Sequence, residues 1–222
     1  LRRLGLVTIG QSPRDDVVPE LRRFLPPDVQ IYEAGALDDL SPKEIAAHLP
    51  LSPERTLVTR LRDGTEVVVD AEFVHGRLQA VIERLGRGVD LIGLLCSGKF
   101  PDFESPVPLL VPHRLLRGVL SALLLPGPLG VLVPSPEQVG PAEEELRDWG
   151  IDAVVCATSP YRGDLRSALG EQVSFLRERG VAAVLLNCFG YGEASREFLQ
   201  ESLGVPVIAV RSLFARTLAE LL

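Results

Sequence analysis

Three segments from the first half of the chain return, in the same order, in the second half. LGLVTIGQSP from Leu4 is matched by LGVLVPSPEQ from Leu129. GRGVDLIGLLCSG, ending on Gly98, is matched by ERGVAAVLLNCFG, ending on Gly190, and VPLLVPHRLLRGVLSALL from Val107 by VPVIAVRSLFARTLAELL from Val205. A single match of this kind is within reach of generic strand-to-helix chemistry. Three in one order favour two similar halves built on one supersecondary plan over a single undivided sheet.

That plan is a parallel one. Runs rich in Val, Ile and Leu at 4–9, 29–34, 89–95, 107–111, 129–133, 151–157, 181–187 and 205–210 alternate with segments of helical period, the pattern of a parallel sheet covered by helices. In DAEFVHGRLQAVIERLGRG, Phe73, Val74, Leu78, Val81, Ile82 and Leu85 form one helical stripe, ended by Gly86 and Gly88. RTLVTRLRDGTEVVVD departs from the plan: Asp63-Gly64 between two β-rich runs predicts a hairpin with a two-residue type I′ turn. The expected architecture is α/β, with two pseudo-symmetric lobes of parallel sheet flanked by helices. The first lobe, 1–125, contains the hairpin as an insertion and ends in a crossover; the second is 126–222, and a cleft is expected between them.

Composition excludes several functions. A net charge of −7, a pI near 5.1 and the lack of any Lys/Arg cluster argue against nucleic acid or an anionic membrane as partner. The apolar runs are too short to span a bilayer and the amino terminus lacks a signal-peptide pattern, which predicts a cytoplasmic protein. Three widely spaced cysteines form neither a disulfide framework nor a zinc pattern. No Walker A loop or dinucleotide GxGxxG follows a strand. A small molecule is the expected partner, and a homo-oligomer is open.

The repeat aligns Cys96 with Cys188 and Gly98 with Gly190. Both cysteines fall at the carboxyl end of a buried strand, where open α/β sheets bind ligands. EASREFLQESLG after Cys188 predicts a helix whose first turn lies near that thiol and favours its anion. The adjacent glycines let backbone N–H groups approach a bound carboxylate. The competing reading is two small buried core residues. Asn187, the only asparagine of the chain, offers two donors and an acceptor beside Cys188, or else serves as a cap or turn residue. Gly10, Gln11, Ser12 and Arg14 follow the first strand. Ser12 reads either as a helix cap before Pro13 or as a ligand contact, and Arg14 either as a bidentate carboxylate partner or as an exposed helix arginine. Thr158 and Tyr161, in Thr158-Ser159-Pro160-Tyr161-Arg162-Gly163, lie in a loop on the same expected edge. Cys156 reads as core, His75 as structural and Lys99 as a solvated loop residue.

TIGQSPRDDV, GALDDLSP from Gly35, LLCSGKF from Leu94 and LLNCFGYG together resemble the AroM family over essentially the whole chain. More distantly, the two-cysteine plan is similar to the aspartate/glutamate/hydantoin racemase superfamily. That resemblance implies two α/β lobes with one cysteine from each facing the substrate α-carbon, Cys96 and Cys188 here, one removing a proton and the other delivering one without metal or pyridoxal phosphate. Their place at the strand ends and loops of the same edge makes Gly10, Gln11, Ser12, Arg14, Ser97, Gly98, Asn187, Phe189, Gly190, Thr158 and Tyr161 the expected substrate site. Cys96 is followed by Ser97-Gly98 where the amino-acid racemases have Asn-Thr, and Cys188 by Phe189-Gly190 where they have a hydroxyl residue; the Cys-Phe-Gly wording is closer to hydantoin racemases. The expectation is a cofactor-independent racemase or isomerase acting next to a carboxylate or carbonyl. A carboxylate-binding or sensing module without turnover, and a thiol redox switch, are the alternatives.

Overall fold

The computed structural model describes residues 2–222. In chain order the first half contains β1 (Arg3–Thr8), α1 (Val18–Arg22), β2 (Gln30–Gly35), α2 (Pro42–Ala46), β3 (Thr56–Arg60), β4 (Glu66–Asp70), α3 (Ala71–Gly86), β5 (Leu91–Leu95), β6 (Leu109–Leu110) and α4 (Pro112–Ser121). The second contains β7 (Leu129–Val133), α5 (Val139–Asp148), β8 (Ala153–Ala157), α6 (Leu165–Glu178), β9 (Ala183–Leu186), α7 (Glu193–Leu203), β10 (Val207–Ala209) and α8 (Val210–Leu221). All eight strands expected from the apolar runs are present.

The chain divides into two compact units, residues 2–113 with Phe214–Leu222 and Arg114–Leu213. The change of unit falls at the start of α4, earlier than 125, and the end of α8 returns to the first unit. Each unit has one parallel sheet. The orders are β2-β1-β5-β6 and β8-β7-β9-β10, the same order under the sequence repeat. The inner strands β5 and β7 are buried along their whole length, which is why their sequences run LIGLL and LGVLV without alternation. The repeat extends to packing. A Cβ on Gly5 would lie 2.8 Å from Leu85, with Val89 next to it, and one on Gly130 would lie 2.9 Å from Leu176, with Val181 next to it. In both units a glycine in the strand lets a helix leucine sit directly on the sheet.

The α3 stripe buries Val74, Leu78, Val81 and Ile82, with Phe73 and Leu85 packed partly buried on the same core. Asp70 starts this helix by accepting from the Glu72 and Phe73 N–H groups, and Arg55 grips the same carboxylate at 2.7 and 2.5 Å. The second unit has its own core, around Leu132, Leu169, Leu176, Leu186, Tyr191 and Leu199.

Two local expectations are corrected. β3 and β4 do pair antiparallel, but Arg60 faces Glu66, Leu61 N–H bonds to the Thr65 carbonyl and Gly64 N–H to that of Leu61. The connection is therefore three residues, 62–64, and Gly64 alone takes positive φ, at 93°. Asp63 stays at negative φ because its carboxylate takes the Thr65 N–H at 2.8 Å, so a type I′ turn does not form. Ser12 is not a helix cap. α1 begins at Val18 with Pro19 in its first turn and no side-chain cap, because the Ser12 hydroxyl is taken by Asp38. In the second half, by contrast, Pro136 directly opens a short 3-10 turn, Pro136–Gln138, before α5.

Candidate functional site

In the first unit the carboxyl edge of the sheet is formed by the ends of β1, β2 and β5. Gly10, just past β1, has no room for a side chain: a Cβ would come 2.5 Å from the Arg60 carbonyl and from Thr59 Oγ1. The loop behind it is fastened by Asp38, which accepts from Ser12 N–H at 2.6 Å, Ser12 Oγ at 2.7 Å and Gly35 N–H at 2.7 Å. Gln11 is buried; its amide nitrogen donates to the carbonyls of Leu37 and Leu40, and its oxygen accepts from Arg62 N–H. Arg62 Nε closes the loop onto the Ser12 carbonyl at 2.6 Å. Arg14 is neither an exposed helix arginine nor open to a ligand carboxylate at these contacts. It is 3% exposed, bidentate on Asp16 at 2.8 Å, and donates to Thr8 Oγ1. Burial pushes the Asp16 carboxyl up, but Arg14 and Arg60 hold it below the usual carboxylate range. Glu33, which takes the Arg14 N–H, is pushed up by burial and by the charges of Asp15 and Asp16.

Cys96 is the first residue past β5 and is half-buried; Gly98 N–H donates to its Sγ at 3.4 Å. The loop after it, 97–108, stands where the second half has α7. Gln79 of α3 ties it down through both main-chain groups of Glu104, and His75 packs against it, tilted on Phe103 at 4.8 Å and near-parallel to Phe100 at 6.5 Å. Ser97 is half-buried and Lys99 exposed in this loop.

The second unit repeats the arrangement. Asn187 extends β9 by one ladder bond, its N–H donating to the Leu132 carbonyl at 2.9 Å. It does not cap α7, whose N-cap is Gly192. Cys188 follows at 8% exposure, and Gly190 N–H donates to its Sγ at 3.4 Å, the distance found at Cys96. Tyr161 from the loop after β8 brings its hydroxyl to 3.8 Å from the same sulfur. Phe189 is buried, and its carbonyl is clamped by Arg211 Nε at 2.7 Å. Tyr191 is fully buried, its hydroxyl donating to the Val133 carbonyl at 3.1 Å and facing that of Thr158. Thr158 continues the sheet, its N–H on Val133 O and its hydroxyl on the carbonyl of Ala157.

The structure thus groups Gly10, Gln11, Ser12, Ser97 and Gly98 with Cys96 in one unit, and Thr158, Tyr161, Asn187, Phe189 and Gly190 with Cys188 in the other. Asp38, Tyr191 and Arg211, which hold these loops, lie within the GALDDLSP, LLNCFGYG and VPVIAVRSLFARTLAELL segments, yet nothing in those segments marks their side chains as the ones that fasten the loops. Cys156, in mid-β8, lies in the core, where burial pushes its thiol up to about 12. Among the described residues no cluster of three or more His, Cys, Asp or Glu is arranged to hold a metal, and no helix is long and apolar enough to cross a membrane.

A four-stranded parallel sheet repeated in two units, with a Cys-X-Gly turn at the carboxyl edge of an inner strand in each, is similar in fold to solved racemases and isomerases. Allantoin racemase from Klebsiella pneumoniae superposes with a TM-score of 0.62 at 16% identity, covering 100% of this chain and 87% of its own. The aspartate racemase of Picrophilus torridus gives 0.61 at 16%, covering 99% and 94%, and the maleate isomerase of Pseudomonas putida S16 gives 0.64 at 12%, covering 99% and 92%. At these identities the likeness is one of fold. The family is narrower: the profile described as AroM protein matches residues 4–222, and the chain belongs to the AroM family. No curated protein matches the sequence.

Proposed function

We propose that this AroM protein catalyses cofactor-independent proton transfer at a carbon next to a carboxylate or carbonyl, with Cys96 and Cys188 as the acid and base of one substrate. The observation that carries the proposal is the matched pair of sulfurs. Each lies just past an inner strand and accepts a hydrogen bond from the N–H of the glycine two residues on. A thiolate that accepts such a bond is favoured over the thiol, and a base on one face with an acid on the other is what inversion at carbon requires. Charge that builds on the substrate oxygens needs donors in place. Main-chain N–H groups near Gly10, Ser97 and Gly98, and the Asn187 amide, are the candidates to receive it. The similarity to two racemases and an isomerase supports the reaction class, and a reducing cytoplasm would keep both thiols available.

The test is a proton-exchange screen of amino acids, hydantoins, hydroxy acids and malonates, read by NMR in deuterium oxide. With an active compound in hand, Cys96→Ala and Cys188→Ala each lose interconversion by about 10² or more. Each still washes deuterium into one enantiomer, the opposite one in the two variants, because the remaining thiolate can remove a proton and return one from solvent. Folded variants that interconvert enantiomers at the parent rate would refute the two-thiol mechanism. Binding without any exchange would point to a module without turnover.

A further inference from the structure

Tyr161 Oη lies 3.8 Å from Cys188 Sγ, on a sulfur that already accepts the Gly190 N–H at 3.4 Å. While Cys188 is a thiol, either partner can donate. Once it ionises the sulfur only accepts, so the phenol must supply the proton and the contact becomes a charge-assisted bond, stronger than the neutral one. A bond that strengthens on ionisation favours the ionised form.

The tyrosine is held for this contact. Its N–H is bonded to Ser159 Oγ at 3.1 Å, and its ring lies over Gly190 so closely that a Cβ there would come 2.7 Å from Tyr161 Cζ and overlap Pro160. Gly190 therefore does two things: it donates its N–H to the sulfur and leaves room for the phenol. The loop after β2, the counterpart in the other half, carries Asp38 and Asp39 and no tyrosine, so the device belongs to one half of the repeat.

We propose that Tyr161 is a positioning residue for Cys188, its hydroxyl donating to the ionised sulfur and keeping it charged as a base. The proposal rests on the two-thiol mechanism for its purpose but not for its test. That test is the rate of iodoacetamide alkylation at each cysteine, resolved by mass spectrometry from mildly acidic to alkaline pH, in the parent, Tyr161→Phe and Gly190→Ala. Loss of a bond to the charged form lowers the thiolate fraction at neutral pH by roughly tenfold, and the greater nucleophilicity of the more basic sulfur offsets part of this. In Tyr161→Phe, Cys188 alkylation at neutral pH should fall about threefold and its alkaline plateau rise about threefold, while the Cys96 profile in the same molecules stays put. Gly190→Ala keeps the hydroxyl but displaces it, and should move the Cys188 profile in the same direction. A Cys188 profile unchanged in both variants, a change uniform at all pH values, or a Cys188 inert throughout in the folded parent would overturn the proposal. If Tyr161→Phe does not fold, judged by circular dichroism and by an altered Cys96 profile, Gly190→Ala decides. A shifted profile with no exchanging substrate sinks the proton-transfer mechanism alone; an unchanged profile with active exchange sinks only the role of Tyr161.

Discussion

Replacing Asp38 by Ala should loosen the β1 edge of the first unit. The carboxylate takes the N–H and hydroxyl of Ser12 and the N–H of Gly35, all within 2.7 Å, with Arg62 at 3.4 Å. Its side chain is 30% exposed, so water screens part of each bond. Bonds to a charged acceptor contribute about 1.5–3 kcal/mol each when shielded, and roughly 1 kcal/mol each is the fair value here. Ala then costs about 2–3 kcal/mol, or roughly 5–10 °C of melting temperature for a chain of this size. Asp38→Asn should fall between: one oxygen can still accept from Ser12 or Gly35, but the amide nitrogen confronts the other N–H. Thermal melts by circular dichroism give the magnitude. Hydrogen exchange locates it, because the Ser12 and Gly35 amides should lose protection while those of the second unit keep theirs. An Asp38→Ala protein melting within about 1 °C of the parent, with both amides still protected, would refute the reasoning.

Acid should destabilise the first unit through Asp70, whose carboxyl Arg55 holds at about 2 against an ordinary 3.8, with the Phe73 N–H helping and burial opposing. A carboxyl depressed in the folded state gives its stability above the ordinary value and loses it as pH falls from about 4 towards 2. Melting temperature should therefore drop over that window in the parent and less steeply in Asp70→Asn, which still caps α3; parallel curves would contradict this. Cys156 should resist alkylation at neutral pH, its thiol being pushed up to about 12. Cys156→Ala and Cys156→Ser should cost about 1–3 kcal/mol in thermal melts and leave the Cys96 and Cys188 alkylation profiles unchanged. A stable variant that selectively loses ligand binding would overturn the core assignment.

What the sequence disclosed followed the range of the interactions involved. β5, β7 and the α3 stripe were legible because burial on both faces, or on one helical face, leaves a periodic signature within a few residues. The two cysteines were legible because the repeat placed them in register. The hairpin was expected correctly, but its turn was not: the bond from the Asp63 carboxylate to Thr65 N–H competes with positive φ, and pattern does not weigh the two. Arg14 reads locally as a ligand-facing or solvent-facing arginine, and it became a buried one because Asp16 and Thr8 converge on it. The clamps by Tyr191 on Val133 and by Arg211 on Phe189 join residues 58 and 22 positions apart, and no local pattern reports such partners.

Phe214 is packed so tightly on the first sheet that a Cβ on Gly93 would lie 2.7 Å from its ring, and it enters that unit only after the whole of the second has been traversed. During synthesis the ribosome therefore releases every residue of Arg114–Leu213 before the first unit has the aromatic ring that covers β5. The middle of the chain can close its core while the beginning still waits with an apolar strand open to solvent, an order of assembly opposite to the amino-to-carboxyl order in which domains generally fold.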